Sequence, residues 1–173
     1  VGPMEYTPGA MLSMQPGNYS ARRPNSASIG TRAYQMALFV VFESGLQMLA
    51  DNPTLYYNND DCIRFISSVP VLWDDTKVLD AKLGEHLVVA KRNGEKWFLG
   101  GMTAERKEPL EIDAVLDFLP EGKVFRLTSF EDGINADRQA MHYVKNVREV
   151  RKGDTVKIRM VRNGGYAASL EAL

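Results

Sequence analysis

The pattern of apolar and polar positions changes character once along the chain. From Thr31 to Phe42, apolar residues and good helix formers fall on nearly every side of a helical period, which predicts a helix buried against other elements and closed near Ser44-Gly45. Leu46-Gln47-Met48-Leu49-Ala50 is a short, nearly continuous apolar run, the pattern of a parallel strand covered on both faces. Asp51-Asn52-Pro53 ends it. Asn or Asp before Pro suits a helix start, and Cys62, Phe65, Ile66 and Val69 give the helix that follows an apolar side. Ahead of these elements, Gly9 to Gly30 is rich in Pro, Gly, Ser and Asn without an apolar period and reads as a long loop, of a length that is usually functional or disordered. Helix, strand, helix is one repeat of an α/β fold, and its single parallel strand needs a hydrogen-bonding partner from upstream.

After Pro70 short strands replace the helical period: Val71 to Trp73, His86 to Arg92, Trp97 to Met102, Val124 to Phe130 and Tyr143 to Val150. Asn93-Gly94 between two of them predicts a hairpin. Thr155 to Val161 alternates strictly, with Val156, Ile158 and Met160 against Lys157 and Arg159, and runs through Asn163-Gly164-Gly165 into Tyr166 to Leu170, which predicts a second hairpin. Roughly eight strands with one apolar face each predict an antiparallel β-sandwich of about 100 residues. The expected organisation is an incomplete α/β piece over residues 1–70 and a separate all-β domain over residues 71–173.

Composition narrows the function classes. The 173 residues are 45% apolar and 25% charged, ordinary for a globular protein, and 21 Lys+Arg against 22 Asp+Glu leave a net charge of -1. No global basic field favours nucleic acid or an anionic membrane. The single cysteine, Cys62, excludes an internal disulfide framework and a cysteine-rich zinc site. The most apolar run, Met36 to Phe42, is far short of the roughly 20 residues a membrane span needs. Val1-Gly2-Pro3-Met4-Glu5 lacks the charged and apolar regions of a signal peptide, so such a peptide is either absent or part of a longer precursor.

Candidate chemistry is sparse, with no phosphate-binding glycine loop, zinc-ligand spacing, nucleophile elbow or calcium loop. Asp132-Gly133-Ile134-Asn135-Ala136-Asp137 clusters oxygen ligands off the calcium-loop spacing and reads as a turn rather than a cation site. His86 and His142 stand without a visible orienting or metal partner and read as structural. Glu5, Glu43, Asp51 and the pair Asp74-Asp75 are the carboxylates nearest apolar elements. Asp51 is the most pointed of them, because the C-terminal end of a parallel strand lies on the ligand rim of an α/β fold; helix capping is its alternative role. Glu43 reads as a structural polar contact. Arg22-Arg23 and Tyr19 lie in the long loop, within reach of a ligand or simply solvated, and Asn18-Tyr19-Ser20 matches a glycosylation acceptor relevant only in a eukaryotic secretory setting. Trp73, Trp97, Tyr143 and Tyr166 are either core aromatics or sugar-stacking platforms.

Several stretches together resemble the C-terminal portion of bacterial glycoside hydrolase family 97. They are Gly2-Pro3-Met4-Glu5-Tyr6-Thr7-Pro8-Gly9, Gly30-Thr31-Arg32-Ala33-Tyr34-Gln35, Val41-Phe42-Glu43-Ser44, Leu46-Gln47-Met48-Leu49-Ala50-Asp51-Asn52-Pro53, Ser68-Val69-Pro70 and Trp73-Asp74. Gly100-Gly101-Met102-Thr103, Asp132-Gly133-Ile134-Asn135-Ala136-Asp137-Arg138 and Gly164-Gly165-Tyr166-Ala167-Ala168 continue the match across essentially the whole chain. The resemblance implies an α-glucosidase or α-galactosidase with an N-terminal β-sandwich, a central (β/α)8 barrel and a C-terminal β domain linked with oligomerisation. It makes Val1 to Tyr6 the end of the seventh barrel strand, Gly9 to Gly30 its catalytic-face loop and Leu46 to Asp51 the eighth strand. Most of the enzyme would then lie upstream, and with it the catalytic carboxylates and the calcium ligands, so no catalytic or metal residue is carried onto this chain. Glu5 and Gly45 depart from the Asp and Pro of the family pattern.

What this implies is an extracytoplasmic, periplasmic enzyme that hydrolyses terminal α-linked glucose or galactose from oligosaccharides with calcium assistance, by a retaining or an inverting route. Glu5, Tyr6 and Asp51 would line the rim of its pocket. Partners would be the oligosaccharide, the upstream part of the enzyme and further copies of the chain; no nucleic acid and no membrane span are expected. A reading from another class makes the β domain a non-catalytic carbohydrate-binding or oligomerisation module.

Overall fold

The computed structural model describes residue 3, residues 5–19 and residues 27–173. In chain order it has strands β1 (Ser13–Met14) and β2 (Ser28–Ile29), helices α1 (Arg32–Val41), α2 (Pro53–Tyr57) and α3 (Asp60–Ser68), then strands β3 (Asp75–Lys82), β4 (His86–Asn93), β5 (Lys96–Thr103), β6 (Leu110–Val115), β7 (Val124–Asp132), β8 (Tyr143–Arg151), β9 (Thr155–Met160) and β10 (Gly165–Ala172). The molecule is mostly antiparallel sheet. A six-stranded sheet runs β3-β4-β5-β10-β7-β8, the pair β6-β9 forms a second sheet, and β1 pairs with β2 in parallel.

The helices begin where their capping residues stand. Thr31 Oγ1 accepts the Tyr34 N–H at 3.0 Å to start α1, and Asn52 Oδ1 accepts the Leu55 N–H at 3.2 Å to start α2. The single helix expected after Pro53 is two, because Asn59 leaves the helical region at φ -128°, ψ 53° and donates its side-chain amide to the Leu55 carbonyl at 2.7 Å. The expected apolar side of α3 is buried as Cys62, Phe65 and Ile66, with Val69 following.

Three expectations require correction. Leu46 to Ala50 forms no strand covered on both faces: Tyr6 and Gln47 make one isolated parallel bridge, the Met48 and Ala50 N–H groups donate to Tyr6 and Pro8 carbonyls, and Leu46, Met48 and Leu49 are exposed. Val71 to Trp73 is irregular with Leu72 exposed, and the strand begins at Asp75. The second hairpin does not exist. β9 pairs with β6, whereas β10 pairs with β5 on one edge and β7 on the other. Burial explains the separation: β9 alternates buried and open positions as a one-sided strand, while Gly165 to Ala168 are buried in succession and demand a central place with both faces covered. The hairpin at Asn93-Gly94 holds, with Asn93 opposite Lys96.

While the edge strands β3 and β8 stay largely exposed, both faces of the six-stranded sheet are covered over its central strands. On one, Leu99, Phe125, Leu127, Tyr166 and Leu170 meet Ile112, Val156, Ile158 and Met160 of the β6-β9 pair, completing the sandwich. On the other, Phe98, Phe130 and Ala167 meet Met36, Phe39 and Val40 of α1 and Cys62, Phe65 and Ile66 of α3. Glycines set the distance of α1 from the sheet. A Cβ at Gly100 would lie 2.9 Å from Val40, and one at Gly165 would lie 2.3 Å from the Cα of Tyr34. The change of period near Pro70 is therefore real in the chain, yet one continuous core runs across it.

Candidate functional site

The long loop is where the described residues concentrate specific polar contacts. Its first stretch is pulled inward: Pro8 to Met11, Ser13 and Gln15 are buried, and Ser13 and Met14 form β1. Side chains from four places fasten it. Gln35, the one uncharged amide inside apolar α1, accepts the Gly9 N–H at 3.1 Å and donates to the Ile29 carbonyl at 3.1 Å. Arg32 donates Nη2 to the Met11 carbonyl at 2.8 Å. Asp51 Oδ2 accepts the N–H groups of Met11 at 2.5 Å and Leu12 at 3.1 Å. Tyr56 accepts the Asp51 N–H at 3.0 Å and donates to the Gly9 carbonyl at 3.1 Å. Arg22 and Arg23, and Ser20 of the glycosylation match, lie outside the described residues; Asn18 and Tyr19 are exposed.

The loop is also tied to the β region. Gln15, fully buried, donates Nε2 to the carbonyls of Ala136 at 3.1 Å and Arg162 at 2.9 Å. Beside it, Asp132 at the end of β7 takes the Thr31 hydroxyl on Oδ1 at 2.6 Å and the N–H groups of Val161 and Gly165 on Oδ2 at 2.9 and 3.1 Å. Burial dominates these contacts and pushes its carboxyl up to about 6. The segment after it is a turn, as expected, and both Asp132 oxygens are used by protein donors.

The three rim residues expected from sequence are not brought to one place. Glu5 is exposed and precedes the Tyr6–Gln47 bridge, whereas Asp51 follows it. Tyr6 turns toward α1: its hydroxyl donates to the Leu38 carbonyl at 3.1 Å and accepts from Gln47 at 3.1 Å, its ring packs edge-on against Phe42, and burial raises its pKa to about 12. Asp51 does not cap α2, since Asn52 does; it clamps the loop. Asp51 thus positions backbone through a single oxygen, Oδ2.

Other candidates resolve into structure. Glu43 meets Lys91 at 2.5 Å. His86 has the partner that local sequence did not show, Asp80 at 2.8 Å. Asp74 accepts the Gly94 N–H at 2.7 Å and closes the β4–β5 turn. The four aromatics weighed as sugar platforms turn inward: Trp97 and Tyr166 are buried, Trp73 packs edge-on against Phe98, and Tyr143 packs on Phe130. Sequence reasoning missed Gln15 and Gln35; a glutamine inside an otherwise apolar helix was the available signal for the second.

Comparison with known proteins supplies what the geometry does not. Residues 72–171 match the family model described as glycosyl-hydrolase 97 C-terminal, oligomerisation. The chain is 38% identical over 170 residues to a retaining α-galactosidase of Bacteroides thetaiotaomicron, a match covering 98% of this chain and 25% of that protein. It is 31% identical over 175 residues to a probable retaining α-galactosidase of Streptomyces bingchenggensis, covering 97% and 23%. Among solved structures, a glycoside hydrolase family 97 enzyme of Pseudoalteromonas sp. strain K8 in complex with acarbose superposes with a TM-score of 0.83 at 32% identity, over 99% of this chain and 27% of that one. A β-arabinopyranosidase shares the fold at a TM-score of 0.74. The chain spans about a quarter of the length of the curated relatives it matches.

Proposed function

The chain belongs to glycoside hydrolase family 97, and on that premise we propose that it is the C-terminal part of a retaining α-galactosidase: residues 1–70 end a (β/α)8 catalytic barrel, and residues 71–173 form its β domain. The observation that carries this is the match to a retaining α-galactosidase across 98% of the chain, through both regions and their junction. The parallel bridge between Tyr6 and Gln47 supports the barrel assignment, being a lone fragment of the pairing that adjacent barrel strands make along their length. On this reading the buried stretch Pro8 to Gln15 leaves the C-terminal end of a barrel strand, where barrel enzymes keep their sites, and Asp51, Gln35 and Arg32 give it a fixed shape.

In a retaining glycosidase one carboxylic acid protonates the departing glycosidic oxygen, and a second carboxylate attacks the sugar to form a covalent intermediate that water then hydrolyses. Both carboxylates, and any calcium, lie outside this chain, and Asp51 contributes by holding a wall rather than by proton transfer. No described helix is long and apolar enough to cross a membrane; a periplasmic or other extracytoplasmic location is part of the proposal, taken from the family. On this reading the β domain joins copies of the enzyme, which the oligomerisation named in the description of the matching family model supports.

The test uses the protein encoded by the natural reading frame that contains this chain. Aryl α-galactoside should be hydrolysed with α-galactose as first product by proton NMR, and aryl α-glucoside more slowly. The 173-residue chain alone should turn over neither. Preference for glucoside, a β-anomer as first product, or robust turnover by the short chain each overturns the corresponding part.

A further inference from the structure

We propose that the β3–β4 turn and the groove beside it form the surface on which one copy of this chain docks onto a second copy. The inference rests on the oligomerisation reading above and gives it an address. The turn is tight: the Glu85 N–H donates to the Lys82 carbonyl at 2.9 Å, and Gly84 has the positive φ of +77° that its place requires. Its second position is Leu83. Turn chemistry favours Pro, Asn, Asp or Ser there, yet a leucine stands fully exposed at 103% relative accessibility. Leu83 stands at the wall of a groove of about 610 Å³ that Ala81, Leu87, Met102, Ala104 and Tyr34 also line.

The alternatives for sheet-based association are blunted. The β3 edge carries a register break between Val78 and Asp80, and bulged edges pair poorly. The β8 edge carries Lys145, Arg148 and Arg151 against Glu149 alone, so two such strands side by side would gather net positive charge. The Leu83 patch is instead self-complementary. Lys82 and Glu85 sit together on its rim, 2.5 Å apart and largely exposed. A two-fold contact requires one patch to fit itself: Leu83 of each copy enters the groove of the other, and Lys82 of each faces Glu85 of the other.

The experiment measures the mass of the 173-residue chain by light scattering during size exclusion, from micromolar to millimolar protein. Wild type should dimerise, and Leu83→Asp should raise the dimer dissociation constant by about 100-fold, since two leucines leave apolar cover per dimer. Leu83→Ser serves if the aspartate variant misfolds, with unchanged circular dichroism required of either. Lys82→Glu should weaken the dimer several-fold, and adding Glu85→Lys should restore it. A wild-type chain that stays monomeric throughout refutes the oligomerisation reading itself. A wild-type dimer that Leu83→Asp leaves intact refutes only this surface, and so does a charge swap that fails to restore what Lys82→Glu lost. If only the longer enzyme protects Leu83 from labelling at the Leu83→Cys thiol while remaining monomeric, the groove is covered by upstream chain and the proposal falls.

Discussion

Strands β3 to β10 bury Trp97, Leu127, Ile158 and Tyr166 between two sheets, and α1 and α3 cover the other face of the larger one. Residues 5–19 and 27–51 are built the other way. Their backbone is held by long-range side chains such as Asp51, Gln35 and Gln15, while Phe42, Leu46, Met48 and Leu49 face outward. Outward apolar residues grouped on one segment mark a surface made for another partner. Each region draws its stability from a different source: the β region from apolar burial, the loop platform from directed hydrogen bonds, with α1 as the one element both share.

The strongest way to break that sharing is at Gly165, where an added Cβ meets the backbone of α1 rather than a side chain that can turn away. Gly165→Ala should cost upwards of about 3 kcal/mol by overpacking, and roughly 10 °C in thermal midpoint for a chain of this size. The two regions should then part: near-ultraviolet signals of Trp97 persist while amides of residues 32–41 exchange rapidly. A variant as stable as wild type would show that α1 is a passenger on the sheet.

Asp132 offers a milder cut. Its carboxyl is raised from 3.8 to about 6 chiefly by burial, so the folded state holds the proton more tightly than the unfolded chain does. Its contribution is therefore fully present below about pH 4 and lost as the pH rises through about 6, roughly 3 kcal/mol at about 1.4 kcal/mol per unit. Asp132→Asn keeps an acceptor for the Val161 and Gly165 N–H groups and removes the titration. Urea unfolding at pH 4, 5, 6 and 7 should show the difference between wild type and variant drifting by that amount in favour of the variant; a constant difference refutes it.

Asp51 separates the two regions from the other side. Asp51→Asn halves the acceptor character available to the Met11 and Leu12 N–H groups, and loss of charge-assisted bonds costs about 2 kcal/mol. The expected readout is local: hydrogen exchange accelerates across residues 9–15, and the urea midpoint of the β strands stays put. Global destabilisation would mean that the loop supports the core rather than the reverse.

What sequence made legible follows the same division. Strands β4 and β5 announce themselves as short apolar runs and β7 by alternation, because burial against a nearby layer is a local pattern. β3 escaped notice, since an edge strand such as Asp75 to Lys82 buries little and looks polar. The placement of β9 and β10 in different sheets escaped for another reason: Asn163-Gly164-Gly165 is turn chemistry, and turn chemistry does not say which strand waits on the far side. The site contacts are longer still in sequence. Asp51 reaches Met11 across 40 residues and Asp132 reaches Thr31 across 101, and no local spacing carries such pairs.

The smallest expected effect is at the ion pair that joins the end of α1 to β4. Lys91 is only 2% exposed, yet its ammonium has three sources of support: Glu43, the Val41 carbonyl at 3.2 Å, and the face of Trp73 at 5.4 Å from the ring centre. The Val41 carbonyl is one of the last of α1, where the helix dipole also favours a cation. Glu43 itself is more than half exposed, so water screens its share. Glu43→Gln should then cost under about 1 kcal/mol, with sodium chloride at 0.5 M changing wild type and variant almost alike. A larger loss would move the anchor of Lys91 from the helix end to the carboxylate, and would make this contact, rather than the close approach at Gly165, the principal tie between the two regions.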